Sequence, residues 1–496
     1  MNSVAFFSLF FIVSLMAGCG GGGRGGSFTP TASPTPDNTS TPAASATPTP
    51  VPTSTPEILM SVSRKPDALT HAPYAVFEFN SDEATSFECH YDDNAFELCS
   101  SPHTVFPVAV GTHTLTVRAR SAAGVLSKNH VTSWEVASIF GQTNFPDRHE
   151  DLLPTEVQPS PAEANSWRGI FRINCDFAHS SYNDPIVYPG LEGLAHLHRF
   201  YGNTLADHNS DTQSLFTDGE SSCQGNALNR SAYWVPALLA PAYDPGTGER
   251  LLDSNDEPRW NVVPAVVGND DEAHEIFYYS AGVDDLESIR PIPLGLKMIA
   301  GNAMAQPGME QSTAIVRWHC QSWESSDALN PRWSTSIPEC TAPDRLRMDI
   351  FFPSCWNGVD LDSGNHKDHM AYPVNTGGPS GTVCPETHPV PIIRVSFHYA
   401  YGVKPEVYEP KTRSSRGWKL ASDMYTITTG ANAGGISLHG DWFNAWHPEA
   451  LEAVLSSCIQ AGLDCHDGNL ARGYRLSGTR EGTQVEPDII NGGMGN

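Results

Sequence analysis

The chain has 496 residues, more than one ordinary hydrophobic core accommodates, so we expect two or three domains. Only 17% of the residues are charged, and 42 Gly and 39 Pro accompany them, a composition that favours a turn-rich β protein over helical bundles. The formal net charge of −27 repels phosphate backbones, and no run of Lys and Arg offsets it, which argues against nucleic acid as a partner.

The amino terminus has the pattern of an export signal. Residues 4–15 form an apolar run that is too short to span a bilayer and has the length of a signal-peptide core. The run ends in LMAGC at residues 15–19, which resembles a bacterial lipoprotein signal, although residues 1–3 carry no basic side chain and Met16 stands where Leu is usual. The resemblance implies a signal peptide at 1–18 and lipidation of Cys19. The alternative is an ordinary secretory signal that happens to contain a cysteine.

Residues 19–56 are predicted to form a disordered linker, because they are rich first in Gly and then in Ser, Thr and Pro and lack the apolar residues of a core. Extended Pro-rich chain of this length reaches on the order of 100 Å. No second apolar run of spanning length follows, so the predicted membrane contact is the lipid anchor alone. We therefore expect an extracytoplasmic protein of the cell envelope, held at the outer membrane or cell surface.

A small β domain is predicted for residues 57–137. Segments 75–79, 86–91 and 112–119 alternate apolar and polar side chains, and turn residues separate them. The loop from Cys89 to Cys99, followed by GTHTL at 111–115, resembles bacterial immunoglobulin-like modules of extracellular proteins. That resemblance implies a small sandwich with a spacer role; ligand binding is the weaker alternative.

Ten cysteines remain once Cys19 is assigned to the lipid, and an even number in an exported chain indicates disulfides. No C-x-x-C pair is present, which argues against a zinc ribbon or a thioredoxin-like site. Sequence cannot fix the connectivity, but pairing neighbours gives Cys89–Cys99, Cys175–Cys223, Cys320–Cys340, Cys355–Cys384 and Cys458–Cys465.

The large domain, residues 138–496, is predicted to be mostly β, as one packed sandwich with long loops and few helices. One helix is predicted at 448–458, where Pro448 suits the first helical position and apolar residues recur at helical spacing. A weaker helix is expected near 226–232. The predicted strands are 167–173, 276–279, 314–320, 347–352 and 390–399.

Four polar-aromatic clusters stand out in the large domain. In chain order they are NDPIVYPG at 183–190 with His196, His198 and FYG at 200–202; Cys223 with SAYWVP at 231–236; FPSCWNG at 352–358 with Asp362, His366, His369, Cys384 and His388; and HGDWFNAW at 439–446. Together they resemble the secreted family called domain of unknown function nineteen-ninety-six. Because its members are often joined to carbohydrate-binding modules, the resemblance implies a polysaccharide or cell-wall glycan as partner.

The histidines suggest a divalent metal ion as cofactor. In an extended chain His196 and His198 share one face, and His366 and His369 lie together at i, i+3 spacing in a helix or turn. His439 is the fifth candidate ligand, and Asp441 would share its face in a strand. A set of imidazoles with a carboxylate suits zinc or copper. The alternative is that these histidines only hydrogen-bond loops in place.

Carboxylates offer a second interpretation, because glycosidases need two of them. Asp184, Asp362 and Asp441 are the candidate catalytic residues, each beside aromatic side chains that suit sugar stacking. Asp184 and Asp441 have a plainer alternative role, which is to cap turns.

The aromatic side chains divide between binding and core roles. Tyr233, Trp356, Trp442 and Trp446 are the candidate sugar-binding residues, and Trp442 and Trp446 are expected at a cleft rim. Burial in a β-sandwich core is the competing interpretation, and it is favoured for Trp234 and Trp356.

We therefore expect an extracellular hydrolase that acts on polysaccharide through a His/Asp cleft. The first alternative is a non-catalytic glycan-binding or adhesion protein, and the second is a structural envelope protein. Serine, phosphate-loop and dinucleotide motifs are absent from the sequence.

Export gives the first testable prediction. Fractionation of native cells should recover the chain with the membranes, acylated at Cys19 and with its other cysteines oxidised. Recovery of a soluble, unacylated chain with reduced thiols would contradict it.

Overall fold

The computed structural model describes residues 58–141, 147–162, 169–265, 275–321, 333–377, 381–404, 413–428 and 432–495. The chain divides into two compact units, Met1–Pro56 and Glu57–Asn496. The predicted signal peptide, Cys19 and the linker lie outside the described residues. Within the described ranges, no helix is both long enough and apolar enough to cross a bilayer.

The first part of the second unit is a small β-sandwich. A three-stranded sheet in the order β1-β3-β6 faces a five-stranded sheet in the order β2-β8-β7-β4-β5. All three strands predicted in this region are confirmed. The strands are β1 Ser61–Arg64, β2 Leu69–Thr70, β3 Ala75–Asn80, β4 Ser86–Tyr91, β5 Glu97–Cys99, β6 His103–Val105, β7 Gly111–Arg120 and β8 His130–Val136.

Side-chain alternation explains the core of this sandwich. Phe77 of β3, Leu115 of β7 and Trp134 of β8 point inward and are almost completely buried, and in β3 and β8 the adjacent residues are more exposed. The Phe77 and Trp134 rings meet edge to face, with centroids 5.5 Å apart.

The large domain contains twenty-two described strands and few helices, as predicted. They are β9 Leu152–Pro154, β10 Ser160–Pro161, β11 Ile170–Cys175, β12 Phe177–Ser181, β13 His198–Gly202, β14 Ala232–Pro236, β15 Leu238–Pro241, β16 Trp260–Val262, β17 Glu275–Ser280, β18 Lys297–Gly301, β19 Val316–Gln321, β20 Arg345–Phe351, β21 Cys355–Trp356, β22 Met370–Ala371, β23 Val374–Asn375, β24 Thr382–Val383, β25 Val390–Pro391, β26 Arg394–Gly402, β27 Lys419–Leu420, β28 His439–Phe443, β29 Leu463–Cys465 and β30 Tyr474–Leu476.

Two sheets form the body of this domain. One has seven strands in the order β10-β29-β11-β17-β26-β20-β19, and the other has five in the order β12-β13-β14-β28-β18. The described pairings are antiparallel except for β11 with β29. Strands overlap each of the five segments predicted from sequence, and the part of segment 167–173 that precedes residue 169 lies outside the described residues.

An aromatic core joins the two sheets. Tyr201 and Tyr233 from the five-stranded sheet meet Phe277, Phe397 and Tyr399 from the seven-stranded sheet, with the Tyr233 and Phe277 centroids 4.5 Å apart. All five side chains are fully buried. The predicted packed sandwich is therefore confirmed.

Two α-helices are described, α1 Thr212–Thr217 and α2 Pro448–Val454, and α2 continues as a π-helical turn, Leu455–Ile459. The predicted helix at 448–458 is confirmed, with Pro448 in its first turn. The weaker helix near 226–232 is wrong, because it is only a 3-10 turn, Asn226–Leu228, before β14 begins. Helix α1 was not predicted; Asp211 caps it by accepting from the Ser214 amide. The remaining 3-10 turns are Leu286–Ser288 and Asn491–Gly493.

All five disulfides join the cysteines that were paired as neighbours in the sequence. Cys175–Cys223 encloses the longest stretch of chain, with a sequence separation of 48, and Cys458–Cys465 the shortest, with a sequence separation of 7. The disulfide-braced β-rich fold is thus as predicted.

The outer face of the five-stranded sheet is covered. Phe200 and Trp234 lie on it under helix α1, whose Phe216 also meets Tyr74 and Phe106 of the small domain. A hydrogen bond of 3.0 Å from His447 Nε2 to the His71 carbonyl adds a second contact between the two domains. This covered face carries the polar cluster described next.

Loop length predicts how much each disulfide stabilises the fold. Cross-link entropy gives about 4 kcal/mol for Cys175–Cys223 and about 2 kcal/mol for Cys458–Cys465. Replacing each pair by serine should lower the unfolding free energy in that order, measured by tryptophan fluorescence in guanidinium. An equal or reversed loss would contradict the loop-length explanation.

Candidate metal centre

Three neighbouring strands place the histidines and carboxylates. His198 of β13 pairs with Pro236 of β14, and Trp234 of β14 pairs with Asp441 of β28. Because side chains two residues apart share a face, His439 lies on the same outer face as Asp441. Pro236 has no N–H and a short ring, so the side chains on either side of it can converge over it.

The histidine rings converge as the sequence spacing predicts. His196 precedes β13 in extended chain, and its ring centroid lies 4.1 Å from that of His198 and 4.9 Å from that of His439. One nitrogen from each of the three rings lies within 4.8 Å of the others. A second group shares His198, because one oxygen each of Asp184 and Asp441 lies within the same distance of it and of each other.

Backbone carbonyls fix the tautomers of two of these rings. His198 Nδ1 donates to the Asn183 carbonyl at 3.1 Å, and His439 Nδ1 donates to the Ser437 carbonyl at 2.8 Å. Each bond leaves Nε2 with a lone pair directed into the cluster, which is the usual way a protein orients a metal-binding histidine.

Several ligand atoms in the cluster are buried without a hydrogen-bond partner. They are Nε2 of His196, Nε2 of His198 and Oδ2 of Asp441. His439 Nε2 is 3.8 Å from Asp441 Oδ2, which is beyond hydrogen-bond distance. Because a buried polar atom that makes no bond costs about 1–3 kcal/mol, a ligand that contacts these three atoms would be bound favourably.

Asp184 has two roles. Its Oδ1 accepts from the amides of Ile186 and Val187 at 2.8 and 2.9 Å. This is the turn-capping role that the sequence offered as the alternative to catalysis. Because Asp184 is also in the group with His198 and Asp441, it is placed to contact a cation held there.

Burial controls the charge states of the cluster. It lowers the pKa of His198 to about 4, and together with the neighbouring His198 it lowers the pKa of His439 to about 3. Burial and the two other rings lower the pKa of His196 well below its usual value. Burial raises the pKa of Asp441, with the nearby Asp184 adding to it, and burial also raises the pKa of Asp184. The imidazoles are therefore neutral at pH 7, as metal ligation requires, and a cation would stabilise the carboxylates.

The donor set fits a borderline divalent cation such as zinc. Zinc takes four ligands at about 2.1 Å from histidine nitrogen and carboxylate oxygen, so its ligand atoms lie about 3.4 Å apart. The two groups, three imidazoles in one and His198 with two carboxylates in the other, share His198, and His439 Nε2 lies 3.8 Å from Asp441 Oδ2, so imidazole and carboxylate ligands are both at hand. Hard cations such as Ca²⁺ prefer all-oxygen sites, so the imidazoles disfavour them.

Asp362, His366 and His369 do not join this cluster, which corrects their predicted roles. Both ring nitrogens of His369 are engaged, by the Ser363 hydroxyl at 3.1 Å and the Lys297 carbonyl at 2.7 Å, so none is left for a metal. His366 Nδ1 lies 2.8 Å from Asp362 Oδ1, and Asp362 Oδ2 lies 3.6 Å from Lys297 Nζ. These residues brace one loop, as the alternative interpretation has it.

Most of the predicted sugar-binding aromatics are core residues. Tyr233, Trp442 and Trp446 have no exposed surface, so the rim position expected for Trp442 and Trp446 is wrong. Trp234 is buried, as expected. Trp356 is partly exposed and packs against the core edge, with its indole donating to the Asp360 carbonyl at 2.6 Å.

A Ser–His–Asp network was missed by sequence reasoning. On the outer face of the seven-stranded sheet, His398 lies between Asp349, at 2.9 Å, and the Ser396 hydroxyl, at 3.0 Å. Strand alternation could have signalled the Ser396–His398 pair, but nothing in the sequence links it to Asp349. Ser396 has no exposed surface, so a substrate does not reach its hydroxyl in this structure.

Comparison with known proteins supports the family assignment of the large domain. The family model described as a domain of unknown function, DUF1996, matches residues 184–446, which is more than half of the chain. The chain therefore belongs to this family, as the four clusters suggested, and all the residues of the histidine and carboxylate cluster lie within the match. No curated protein matches the chain in sequence.

The cluster predicts metal binding that depends on particular histidines. The purified chain, dialysed and analysed by elemental mass spectrometry, should retain about one zinc-type ion, and His439→Ala should weaken binding at least about a hundredfold because a ligand is lost. His366→Ala is the matched control, since His366 lies outside the cluster, and it should bind as the native chain does. Equal effects of the two substitutions would contradict the assignment.

Proposed function

We propose that this chain is a metal-dependent hydrolase that acts on polysaccharide outside the cytoplasm. The observation that carries the proposal is the convergence of buried histidine and aspartate ligand atoms that lack hydrogen-bond partners. Perturbed titratable groups gathered at one point are typical of catalytic sites. The family match adds no activity of its own, because its description records none.

The arrangement of the carboxylates supports metal-assisted hydrolysis. Asp184 and Asp441 offer oxygens that lie within 4.8 Å of each other and share His198 as a neighbour. Both carboxylates can therefore contact one cation beside His198. A two-carboxylate mechanism would instead need the two groups to flank the glycosidic bond, with a sugar or a water between them.

The proposed chemistry uses one water molecule. The histidines and Asp441 would hold a divalent ion, which would lower the pKa of that water toward 7 and so supply a nucleophile at neutral pH. Burial raises the pKa of Asp184, which suits this side chain to carry a proton to the leaving oxygen of the glycosidic bond. His196 is the only histidine of the described cluster that is not fully buried, so we place the substrate on its side.

The proposed function includes an extracytoplasmic location for the chain and a spacer role for the small domain. Five disulfides are compatible with an oxidising, extracytoplasmic compartment. We propose that a lipid on Cys19 anchors the chain to the envelope and that the small β-sandwich is an immunoglobulin-like spacer before residues 138–496. Its Cys89–Cys99 disulfide and two-sheet architecture support that assignment.

A second candidate function is a non-catalytic glycan-binding or adhesion protein in which the metal only braces the fold. The observation in its favour is burial: His198, His439 and Asp441 are at most 3% exposed. Structural metal sites are closed in this way, whereas catalytic sites keep one position open.

One experiment separates these candidates. The chain should release reducing ends or acyl groups from at least one member of a glycan panel, lose that activity on chelation, and regain it with zinc. Asp441→Asn should lower kcat by at least about a hundredfold, because it removes an anionic ligand. Asp362→Asn, outside the cluster, is the matched control and should leave kcat unchanged.

Two results would count against catalysis. Retention on insoluble glycan without release would favour the binding protein, provided that chelation lowers the thermal stability. Full activity of the Asp441→Asn variant would remove the cluster from the reaction.

A further inference from the structure

A second site lies away from the metal centre, in a cleft of about 1060 Å³ beside the small sheet β16-β15-β27. Its volume is at the upper end of the range for ligand-binding cavities. Trp260 of β16 and Lys419 of β27 lie on the same face of that sheet, because Trp260 pairs with Pro241 and Lys419 pairs with Leu239, two residues earlier on β15.

The floor of the cleft holds two cations against one indole. The Lys419 ammonium and the Arg250 guanidinium each lie 4.8 Å from the Trp260 ring centroid. Arg250 donates through Nη1 to the Ala242 carbonyl at 2.8 Å, which fixes its position without neutralising its charge. Cation–π contacts of this kind hold the two cations in place and leave them available to an anion.

Lys419 has the environment of a ligand-binding cation. Its side chain lines the cleft although the residue is only 8% exposed, and among the described residues its ammonium has no hydrogen-bond or ion-pair partner. Asp423 interacts with Lys419 electrostatically but forms no direct ion pair with it, and Asp423 Oδ2 accepts from the amides of Leu420 and Gly435 at 2.8 and 2.6 Å. An anion in the cleft would give this buried ammonium a direct charge-assisted contact.

The backbone next to Lys419 keeps that ammonium accessible. A Cβ at Gly492 would lie 3.0 Å from Lys419 Nζ and 3.4 Å from Trp260 Nε1, so a larger residue there would cover both. Gly492 also has φ of +61°, a conformation that glycine adopts readily.

The walls and rim of the cleft indicate a hydroxyl-rich ligand with few charges. Tyr243 and Tyr425 line it with ring surface for sugar stacking, and amide and carboxylate side chains line it as well. The rim carboxylates disfavour a ligand with an anion on every unit. The polar side chains at the rim are Asp253, Asn255, Glu257, Arg259, Thr426, Asp488 and Asn491.

We propose that this cleft binds an acidic oligosaccharide in which uronic acid residues alternate with neutral sugars, with one carboxylate against Lys419 and Arg250. The site does not depend on the proposed metal centre. Within the described part of the chain, the two sites share no lining residue, but Leu197, between His196 and His198, packs in the same small apolar cluster as Trp260.

Calorimetry with the full chain tests this proposal. The ligands are oligosaccharides of glucuronate, or of galacturonate, alternating with a neutral N-acetylhexosamine; the same oligosaccharides with their carboxyl groups reduced to alcohols; and sulfated neutral oligosaccharides. At least one uronate ligand should bind, and its carboxyl-reduced form should bind at least about tenfold more weakly, because a charge-assisted contact is lost.

Variants localise the binding. Lys419→Met should weaken uronate binding at least about tenfold, and Lys419→Arg should retain most of it. Lys65→Met, at an exposed lysine of the small domain, is the matched control and should bind as the native chain does. Circular dichroism and a thermal melt check that each variant is folded.

Four results would overturn the proposal. They are no binding of either uronate ligand, equal binding of the carboxyl-reduced form, equal or tighter binding of the sulfated form, and native affinity in a folded Lys419→Met variant. His439→Ala separates this site from the metal centre: it should retain uronate binding, whether or not the hydrolase proposal holds.

Discussion

The alternation of side chains along β13, β14 and β28 is the constraint on which the rest of the structure depends. One set of residues on these strands, Tyr201, Tyr233 and Trp442, points into the sandwich and meets the aromatic residues of the seven-stranded sheet. The next residue along each strand therefore points outward. The same hydrogen-bonded registers that build the core thus bring His198 and Asp441 to the opposite face.

The outer face of the five-stranded sheet carries both apolar side chains and buried polar atoms without hydrogen-bond partners. Burial of the polar cluster disfavours the charged forms of the imidazoles and the carboxylates alike. A fold that served only stability would place apolar side chains there, because a buried polar group without a partner costs free energy. The cleft at Lys419 also buries a charged group, but there the group is a cation, to which an anionic ligand is the matching partner.

Sequence pattern predicted the features that depend on residues close together in the chain. Strand alternation located the strands, and neighbouring cysteines met because short loops close easily. The His196–His198 spacing placed two rings together because the chain there is extended. What the sequence did not show is which face of a sheet is covered: Trp442 and Trp446 became core residues, and His369 became a loop brace. Those outcomes depend on contacts between residues far apart in the chain, as does the meeting of Asp349 with His398.

The family match and the folded unit do not share boundaries. The match covers residues 184–446, yet β11, Ile170–Cys175, lies between β29 and β17 inside the seven-stranded sheet, and α2, which buries Leu451 and Val454, begins at Pro448. A fragment cut at the ends of the match would lose an internal strand on one side and a core helix on the other, and it would also separate Cys175 from Cys223. In this chain the matched region is therefore shorter than the folded unit, and expression boundaries belong outside it.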